Sequence, residues 1–184
     1  MTQPAYLFNK LAPFLLLTFL LLILFFISSP VAALPEDRQQ PLKVEAQQMQ
    51  WNNQQQLATY KGEVELQQGE LRLKAAQLAI KRNPAGELEQ AIASQPQGQA
   101  YMRDLPDATQ PEIEAWGETI DYLPAKNLII LTGQAKLTQG KDSFAGHKLT
   151  YNLATQDIQA EQKSTTDARV EVILTPAPQG QRND

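Results

Sequence analysis

Cysteine is absent from this chain of 184 residues, and histidine occurs once, as His147. Without cysteine the chain forms no disulfide and holds no thiolate-bound metal, so packing and hydrogen bonds must stabilise the fold. We interpret the single histidine, which has no acidic cluster beside it, as structural or solvent-exposed. We therefore expect no metal site and no cofactor.

An excess of positive charge is also lacking, since 16 Lys and Arg stand against 20 Asp and Glu and the formal net charge is −4. A nucleic-acid binder needs a basic surface to meet phosphates, so we expect no nucleic-acid partner. Catalytic motifs are missing as well. No G-x-S-x-G marks a nucleophile, and Gly140-Lys141-Asp142-Ser143 resembles a P-loop ending but has Asp where Ser or Thr is required.

Carboxylates are the remaining candidates for catalysis, and a hydrolase that uses two of them stays open on sequence alone. They fall at alternate positions opposite apolar residues, which is typical of a solvated strand face. We therefore predict no catalytic residue and no enzymatic activity. The carboxylates concerned are Glu63, Glu65, Glu70, Glu87, Glu89, Glu112 and Glu114.

One long hydrophobic run is present, at the N-terminus. Lys10 precedes the apolar stretch Leu11–Ile27, and Val31 and Ala33 occupy positions −3 and −1 of a cut before Leu34. This pattern predicts a cleaved secretory signal peptide over residues 1–33. The alternative is an uncleaved anchor, because the run approaches the length that spans a bilayer.

Cleavage leaves about 150 residues, enough for one domain with a core. The polar, Pro-containing residues 34–40 read as a flexible lead-in, and the polar residues 176–184 as a disordered tail. We predict a single domain over residues 41–175. Export without disulfides, an acidic balance and a high Gln content fit a bacterial periplasm.

Within this domain apolar residues recur with a period of two, which predicts strands with one dry and one wet face. Gln68-Gly69 and Gln139-Gly140 predict hairpin turns, since Gly supplies positive φ. We predict a strand also for Lys74–Lys81, in spite of its helix-forming alanines. Short strands that follow one another with turn residues between them indicate an antiparallel sandwich, barrel or jelly roll.

The pattern is repeated after 71 residues. The strand, turn and hairpin residues of one half have counterparts in the other, and Ala91–Ile113, richer in Pro and Gln, lies between the halves. A unit of this length with one dry face cannot bury it alone, but two stacked copies can. The matching pairs are Met49 with Ile120, Trp51 with Tyr122, Leu57 with Leu128, Gly62 with Gly133, Leu66 with Leu137, and Leu78 with Leu149.

Residues 41–80 and 112–160 resemble the two halves of the OstA-like family of periplasmic lipopolysaccharide-transport proteins. The resemblance rests on an ordered series of short motifs and covers nearly the whole mature chain, with Ala91–Ile113 the least similar part. The motifs are Pro41-x-x-Val44-Glu45, Tyr60-Lys61-Gly62, Gln68-Gly69, Leu131-Thr132-Gly133 and Leu149-Thr150-Tyr151.

The resemblance implies an all-β fold: a twisted, open antiparallel jelly roll, V-shaped in section, with an apolar inside and two similar halves. It also implies a lipid carrier that binds lipopolysaccharide by its lipid A acyl chains and passes it from the inner to the outer membrane. The partners that it implies are further copies joined head to tail, an inner-membrane-anchored OstA-like protein, and the N-terminal domain of an outer-membrane barrel translocon protein.

From the alternation and the resemblance together we predict a lipid-binding groove and two subunit edges. The edges are Leu42 and Val44 at the start and Val170, Val172 and Leu174 at the end. Two alternatives stay open: an inner-membrane-anchored relative of the same pathway, and a structural β-sandwich adaptor without lipid binding. The predicted groove residues are Leu42, Val44, Met49, Trp51, Val64, Leu66, Leu71, Leu73, Leu78, Ile80, Ile92, Tyr101, Ile120, Tyr122, Leu137, Leu149 and Tyr151.

Overall fold

A computed structural model describes residues 40–105, 109–164 and 169–176. These residues all fall in one compact unit. The predicted signal peptide, nearly all of the lead-in and all of the tail after Pro176 lie outside the described residues. Within them, no helix is long and apolar enough to cross a membrane.

Twelve antiparallel strands form one sheet, with six strands in each half of the repeat. A short 3-10 helix, Pro124–Lys126, precedes the ninth strand. The first half contains β1 (Lys43–Glu45), β2 (Gln48–Asn52), β3 (Leu57–Gln68), β4 (Leu71–Arg82), β5 (Leu88–Ser94) and β6 (Ala100–Asp104). The second half contains β7 (Ile113–Gly117), β8 (Thr119–Leu123), β9 (Leu128–Gln139), β10 (Asp142–Asn152), β11 (Ile158–Glu161) and β12 (Glu171–Ile173).

The sheet folds into two walls that share the four long strands β3, β4, β9 and β10. In wall A the pairing order is β2-β3-β4-β5-β8-β9-β10-β11. In wall B it is β1-β3-β4-β6-β7-β9-β10-β12. Each long strand therefore crosses from one wall to the other along its length, and the crossing points line up as a corner.

Bulges at glycine make that corner. The register of β3 against β4 shifts between Lys61 and Val64, and the register of β9 against β10 shifts at the corresponding place. Gly62 and Gly133 have φ of 83° and 77° there. This left-handed conformation is open to glycine at little cost, and bulges of this kind bend a strand sharply.

The core lies between the two walls. Alternate residues of the long strands point inward, and one continuous cluster collects them from both walls and both halves. The predicted jelly-roll fold, the hairpin turns and the strand at Lys74–Lys81 are confirmed. The repeat is confirmed as well, since β1–β4 correspond to β7–β10 strand by strand.

Strands β5, β6 and β7 were not predicted from the sequence. They lie in and around Ala91–Ile113, which we described only as a stretch between the halves. Alanine holds most of their inward apolar positions, as Ala91, Ala93, Ala100 and Ala115, with Met102 and Ile113 holding the others. Alanine is weakly apolar and uncommon in strands, so the alternation that marks the other strands is faint here.

Candidate functional site

The candidate site is the apolar interior between the walls. The largest part of the predicted groove set faces it, and these side chains are at most 4 % exposed. They come from both walls and both halves, so the interior runs the length of the repeat. The groove residues placed there are Val64, Leu66, Leu71, Leu73, Leu78, Ile80, Ile120, Tyr122, Leu137, Leu149 and Tyr151.

Four predicted groove residues lie at the N-terminal end of the interior. Leu42 and Val44 are half-buried and pack against the core cluster. Met49 and Trp51 belong to β2, opposite Tyr60 and Ala58, and are 61 % and 39 % exposed. They share the inner face with the core, but no further strand of the described residues covers them on the β2 side.

Two predicted groove residues, Ile92 and Tyr101, are placed on the outer face of the walls, and this corrects their predicted direction. Ile92 lies between Ala91 and Ala93, both fully buried, and Tyr101 lies next to the buried Met102. Since successive side chains of a strand point to opposite faces, Ala91, Ala93 and Met102 take the inward places, and Ile92 and Tyr101 point outward. Our prediction took the largest apolar residue as the inward one.

On the outer face, Tyr101 contacts the side chains of Trp116 and Glu114. Its ring lies 5.5 Å from that of Trp116, and its hydroxyl donates to Glu114 Oε1 at 2.6 Å. The ammonium of Lys136 lies 5.3 Å from the Trp116 ring centroid, a cation–π distance. Burial, and then the bond to the Glu114 carboxylate, raise the pKa of Tyr101 to about 12. Sequence reasoning did not single out Trp116, whose inward neighbours are Ala115 and Gly117.

The carboxylates weighed as candidates for catalysis lie away from the interior. Glu65 and Glu89 pair with lysines of adjacent strands at 2.7 and 2.8 Å, and Glu112 pairs with Arg103 at 2.6 Å. These pairs are exposed and add little stability. His147 is half-buried beside the bulge of β10. Within the described residues, no cluster of three or more His, Cys, Asp or Glu could hold a metal ion.

Both ends of the walls present apolar strand edges. Among the strands that the structure describes, β12 at the C-terminal end pairs with β10 only, and Val170, Val172 and Leu174 are 36, 49 and 66 % exposed. At the N-terminal end, β1 and β2 each pair with no described strand other than β3. Exposed apolar edge strands are uncommon unless another strand pairs with them. The predicted edge residues therefore lie where a strand of another molecule could pair.

Two six-strand jelly-roll units in tandem share a continuous apolar interior and have open apolar ends. This arrangement defines the class of protein as a binding or carrier protein that holds its ligand against an apolar surface. The comparisons with known proteins agree with this class. The family model of the LptA/(LptD N-terminal domain) LPS transport protein matches residues 43–157. This chain therefore belongs to the family of LptA and LptD N-terminal domains, the LPS transport proteins.

Individual relatives support the assignment. The chain is 29 % identical to the lipopolysaccharide export system protein LptH of Pseudomonas aeruginosa, over 84 % of this chain and 90 % of the relative. It is 30 % identical to the lipopolysaccharide export system protein LptA of Escherichia coli K12, over 85 % of this chain and 83 % of the relative.

A solved structure supports it as well. The crystal structure of LptH, described as the LptA-homologous periplasmic component of the lipopolysaccharide transport device of Pseudomonas aeruginosa, superposes with a TM-score of 0.68 at 28 % identity. The match covers 77 % of this chain and all of that one. A family of transport proteins bears out the expectation that the chain is not an enzyme.

Proposed function

We propose that this protein carries lipopolysaccharide between the two membranes, with the acyl chains of lipid A held between wall A and wall B. Family membership supports the substrate, and the continuous apolar interior is the observation that supports the mode of binding. Both halves contribute to that interior, and its two ends are apolar and open to strand pairing. Phosphates and sugars would stay in water outside the walls.

The hydrophobic effect is large enough for this task. Burying one CH₂ group gains about 0.8 kcal/mol, so a twelve-carbon acyl chain gains on the order of 10 kcal/mol. An apolar wall therefore suffices to hold the lipid, and no polar recognition site is required. A carrier must also release its load, which a groove continued by the next copy allows.

Acyl chains would enter by parting the walls. Leu73, Leu131 and Leu149 have no exposed surface, so the walls contact each other along the interior. The turns at the far edges, such as Gln68–Leu71 and Gln139–Asp142, connect strands of the same wall. The walls are therefore covalently joined along the corner, and we propose that the opposite side opens to admit lipid.

We further propose that the protein works in the periplasm after removal of residues 1–33. The sequence pattern of the leader and the periplasmic description of the LptH relative support this location. Determining the N-terminus of the protein recovered from cells tests it. A protein that begins at Leu34 agrees with cleavage, whereas one that keeps Leu11–Ile27 is membrane-anchored.

The partners that we propose are copies of the same chain, an inner-membrane-anchored OstA-like protein, and the N-terminal domain of an outer-membrane barrel translocon protein. The match of one family model to both LptA and the LptD N-terminal domain supports shared edges between these proteins. Pairing of an added strand to an open edge would join them.

Photo-crosslinking to lipopolysaccharide tests the proposal. A photoreactive residue replaces Tyr122, which is 2 % exposed and points inward, or its neighbour Asp121, which points outward and accepts a hydrogen bond from Gln90 Nε2 at 2.8 Å. We expect adducts at Tyr122 and none at Asp121. Adducts at neither position would indicate an interior closed to lipid and favour a structural adaptor.

A further inference from the structure

The two halves of the chain are joined by two strand pairings, one in each wall. In wall A, β5 pairs with β8, with Ala91 opposite Tyr122 and Ala93 opposite Ile120. In wall B, β6 pairs with β7, with Met102 opposite Ala115. We call these two pairings the internal joint. They are the place where the end of one six-strand unit meets the beginning of the next.

Four strands at the two ends of the chain correspond to the four strands of the internal joint, but they lack that pairing within the described residues. The beginning of the second unit, β7 and β8, corresponds to β1 and β2. The end of the first unit, β5 and β6, corresponds to β11 and β12. The registers of these strands against the long strands fix which residues correspond. Ala93 lies opposite Leu78, and its counterpart Ala160 lies opposite Leu149. Met102 lies opposite Leu73, and its counterpart Val172 lies opposite Phe144.

We propose that neighbouring copies join through both walls in the register of the internal joint: β12 pairs with β1, and β11 with β2, of the next copy. The proposal rests on the head-to-tail assembly proposed above and specifies its geometry. It places Val172 opposite Val44, and Leu174 opposite Leu42, in wall B. In wall A it places Ile158 opposite Trp51 and Ala160 opposite Met49.

Side-chain chemistry agrees with this register on the inner face. Every pair that the register brings together there is apolar with apolar. The residues equivalent to Met49 and Trp51 are Ile120 and Tyr122, and the internal joint buries them to 0 and 2 % exposure. Met49 and Trp51, at 61 and 39 %, would be covered in the same way by β11 of the preceding copy.

A uniform repeat of 71 residues would give another register in wall B, with Ile173 opposite Val44. That register conflicts with the structure. Val172 lies opposite the half-buried Phe144, which packs against the core cluster, so Val172 faces inward and Ile173 outward. The strand registers therefore select Val172 as the partner of Val44.

The outer face of the proposed joint differs from that of the internal joint. Tyr101 and Trp116 lie opposite each other in the internal joint. The equivalent residues between copies are Glu171 and Glu45. Like charges directly opposite each other on a sheet destabilise the pairing.

Neighbouring lysines offset part of that repulsion. Glu45 pairs with Lys43 at 2.7 Å, and Glu65, opposite Glu45 on β3, pairs with Lys74 at 2.7 Å. The joint between copies therefore has the backbone register of the internal joint but a weaker outer face. This difference would keep the assembly separable.

Cysteine crosslinking tests the register, because the chain has no cysteine of its own. Two differently tagged copies of the full chain are co-expressed in a Gram-negative host, one with Val44→Cys and the other with a cysteine at position 172, 173 or 174. These three positions are 49, 52 and 66 % exposed, so accessibility does not favour one of them. Directly opposite residues are within disulfide reach, whereas diagonal ones are not.

We expect disulfide-linked dimers for Val44→Cys with Val172→Cys, at least several-fold more than with Ile173→Cys or Leu174→Cys. Leu42→Cys should in turn prefer Leu174→Cys. A preference of Val44→Cys for position 173 or 174 overturns the register. If lipid adducts form at Tyr122 but no cysteine pair crosslinks, the carrier function stands and this joint is wrong. Crosslinks in register without lipid adducts support the joint and contradict the carrier function.

Charge reversal tests the outer face independently. Glu171→Lys places an opposite charge against Glu45 and should strengthen self-association about two- to tenfold. Combining it with Glu45→Lys should remove that gain. The control Glu87→Lys makes the same change in net charge in the exposed turn between β4 and β5, outside the strands of the proposed joint, and should leave association unchanged. Equal effects of Glu171→Lys and Glu87→Lys would contradict the proposed opposition of Glu171 and Glu45.

Discussion

Single side chains decide how close the walls lie to each other. Leu131 in β9 has no exposed surface, while its neighbour Thr132 points outward and is exposed. Interior packing is dense, so removing buried atoms costs their transfer free energy together with that of the remaining cavity. The difference between two adjacent residues therefore tests the inward and outward assignment directly.

We predict that Leu131→Ala lowers the free energy of unfolding by about 2–5 kcal/mol. The adjacent control Thr132→Ala should change it by no more than about 0.5 kcal/mol. Urea unfolding followed by circular dichroism measures both. Equal effects of the two substitutions would contradict the inward direction of Leu131.

The corner glycines carry a second prediction. Gly133 has a φ of 77°, and a Cβ there would overlap Cδ of the Glu118 side chain. Gly133→Ala should therefore destabilise the fold through both backbone strain, of order 1–3 kcal/mol, and this contact. Adding Glu118→Ala relieves only the contact. Denaturant unfolding of the single and double variants should show partial recovery, and complete recovery would indicate that the positive φ costs nothing.

The Tyr101 hydroxyl gives a pH-dependent prediction. Its pKa is raised to about 12 in the folded protein from the ordinary tyrosine value of 10.0. A folded pKa above the unfolded value means that the neutral form is favoured in the fold. The resulting stability is fully present below pH 10 and is lost as the pH rises towards 12.

We predict that Glu114→Gln lowers the pKa of Tyr101 because it removes the negative charge of the carboxylate that accepts the hydrogen bond of the hydroxyl. Ultraviolet titration of phenolate absorbance, with Tyr101→Phe subtracted to isolate this residue, measures the shift. An unchanged titration in Glu114→Gln would show that burial alone sets the pKa.

Among the elements, the end strands differ most from the rest. β12 has three residues, all exposed, and pairs with β10 only. β4, in contrast, runs for twelve residues through both walls and pairs with three other strands. A change in β12 should therefore affect what it joins rather than the fold.

We predict that Val172→Pro weakens self-association while the monomer stays folded, because proline lacks a backbone N–H and fits poorly in a strand that pairs on both sides. Val172→Ala keeps that N–H and serves as the control. Light scattering reports the size of the assembly, and far-ultraviolet circular dichroism reports the fold. Oligomers of unchanged size in Val172→Pro would show that β12 is not the joining edge.

The predictability of the elements from sequence follows the size of their inward side chains. Where Leu, Val and Ile alternate, as in β3, β4 and β9, strands and turns were predicted at the right places. β5 and β6 were missed, because alanine holds most of their inward positions, as Ala91, Ala93 and Ala100. The same weakness reversed the faces of Ile92 and Tyr101.

The edges were predictable in part. Alternation placed Val44 and Val172 on one face of their strands, and the structure agrees. The register between β11 or β12 and the long strands depends on the lengths of the turns before them, which vary between the halves. Only the observed pairing of β10 with both end strands fixes it.

The whole molecule can be described as one segment of an apolar interior that further copies would continue. Its interior passes from the first half to the second without interruption, and both ends leave apolar edges exposed. A chain of copies would extend this interior from one membrane towards the other. The central claim is therefore that lipid moves from copy to copy inside the walls rather than through solution.

Transfer between two populations of the protein measures this claim most directly. Donor copies loaded with lipopolysaccharide are mixed with lipid-free acceptor copies that carry a photoreactive residue at Tyr122, and adducts on the acceptor are counted over time. Donors are the unchanged chain, Val172→Ala or Val172→Pro. We predict rapid transfer from the first two and much slower transfer from Val172→Pro. Equal transfer from all three donors would show that lipid reaches the acceptor without a joint and would contradict the account.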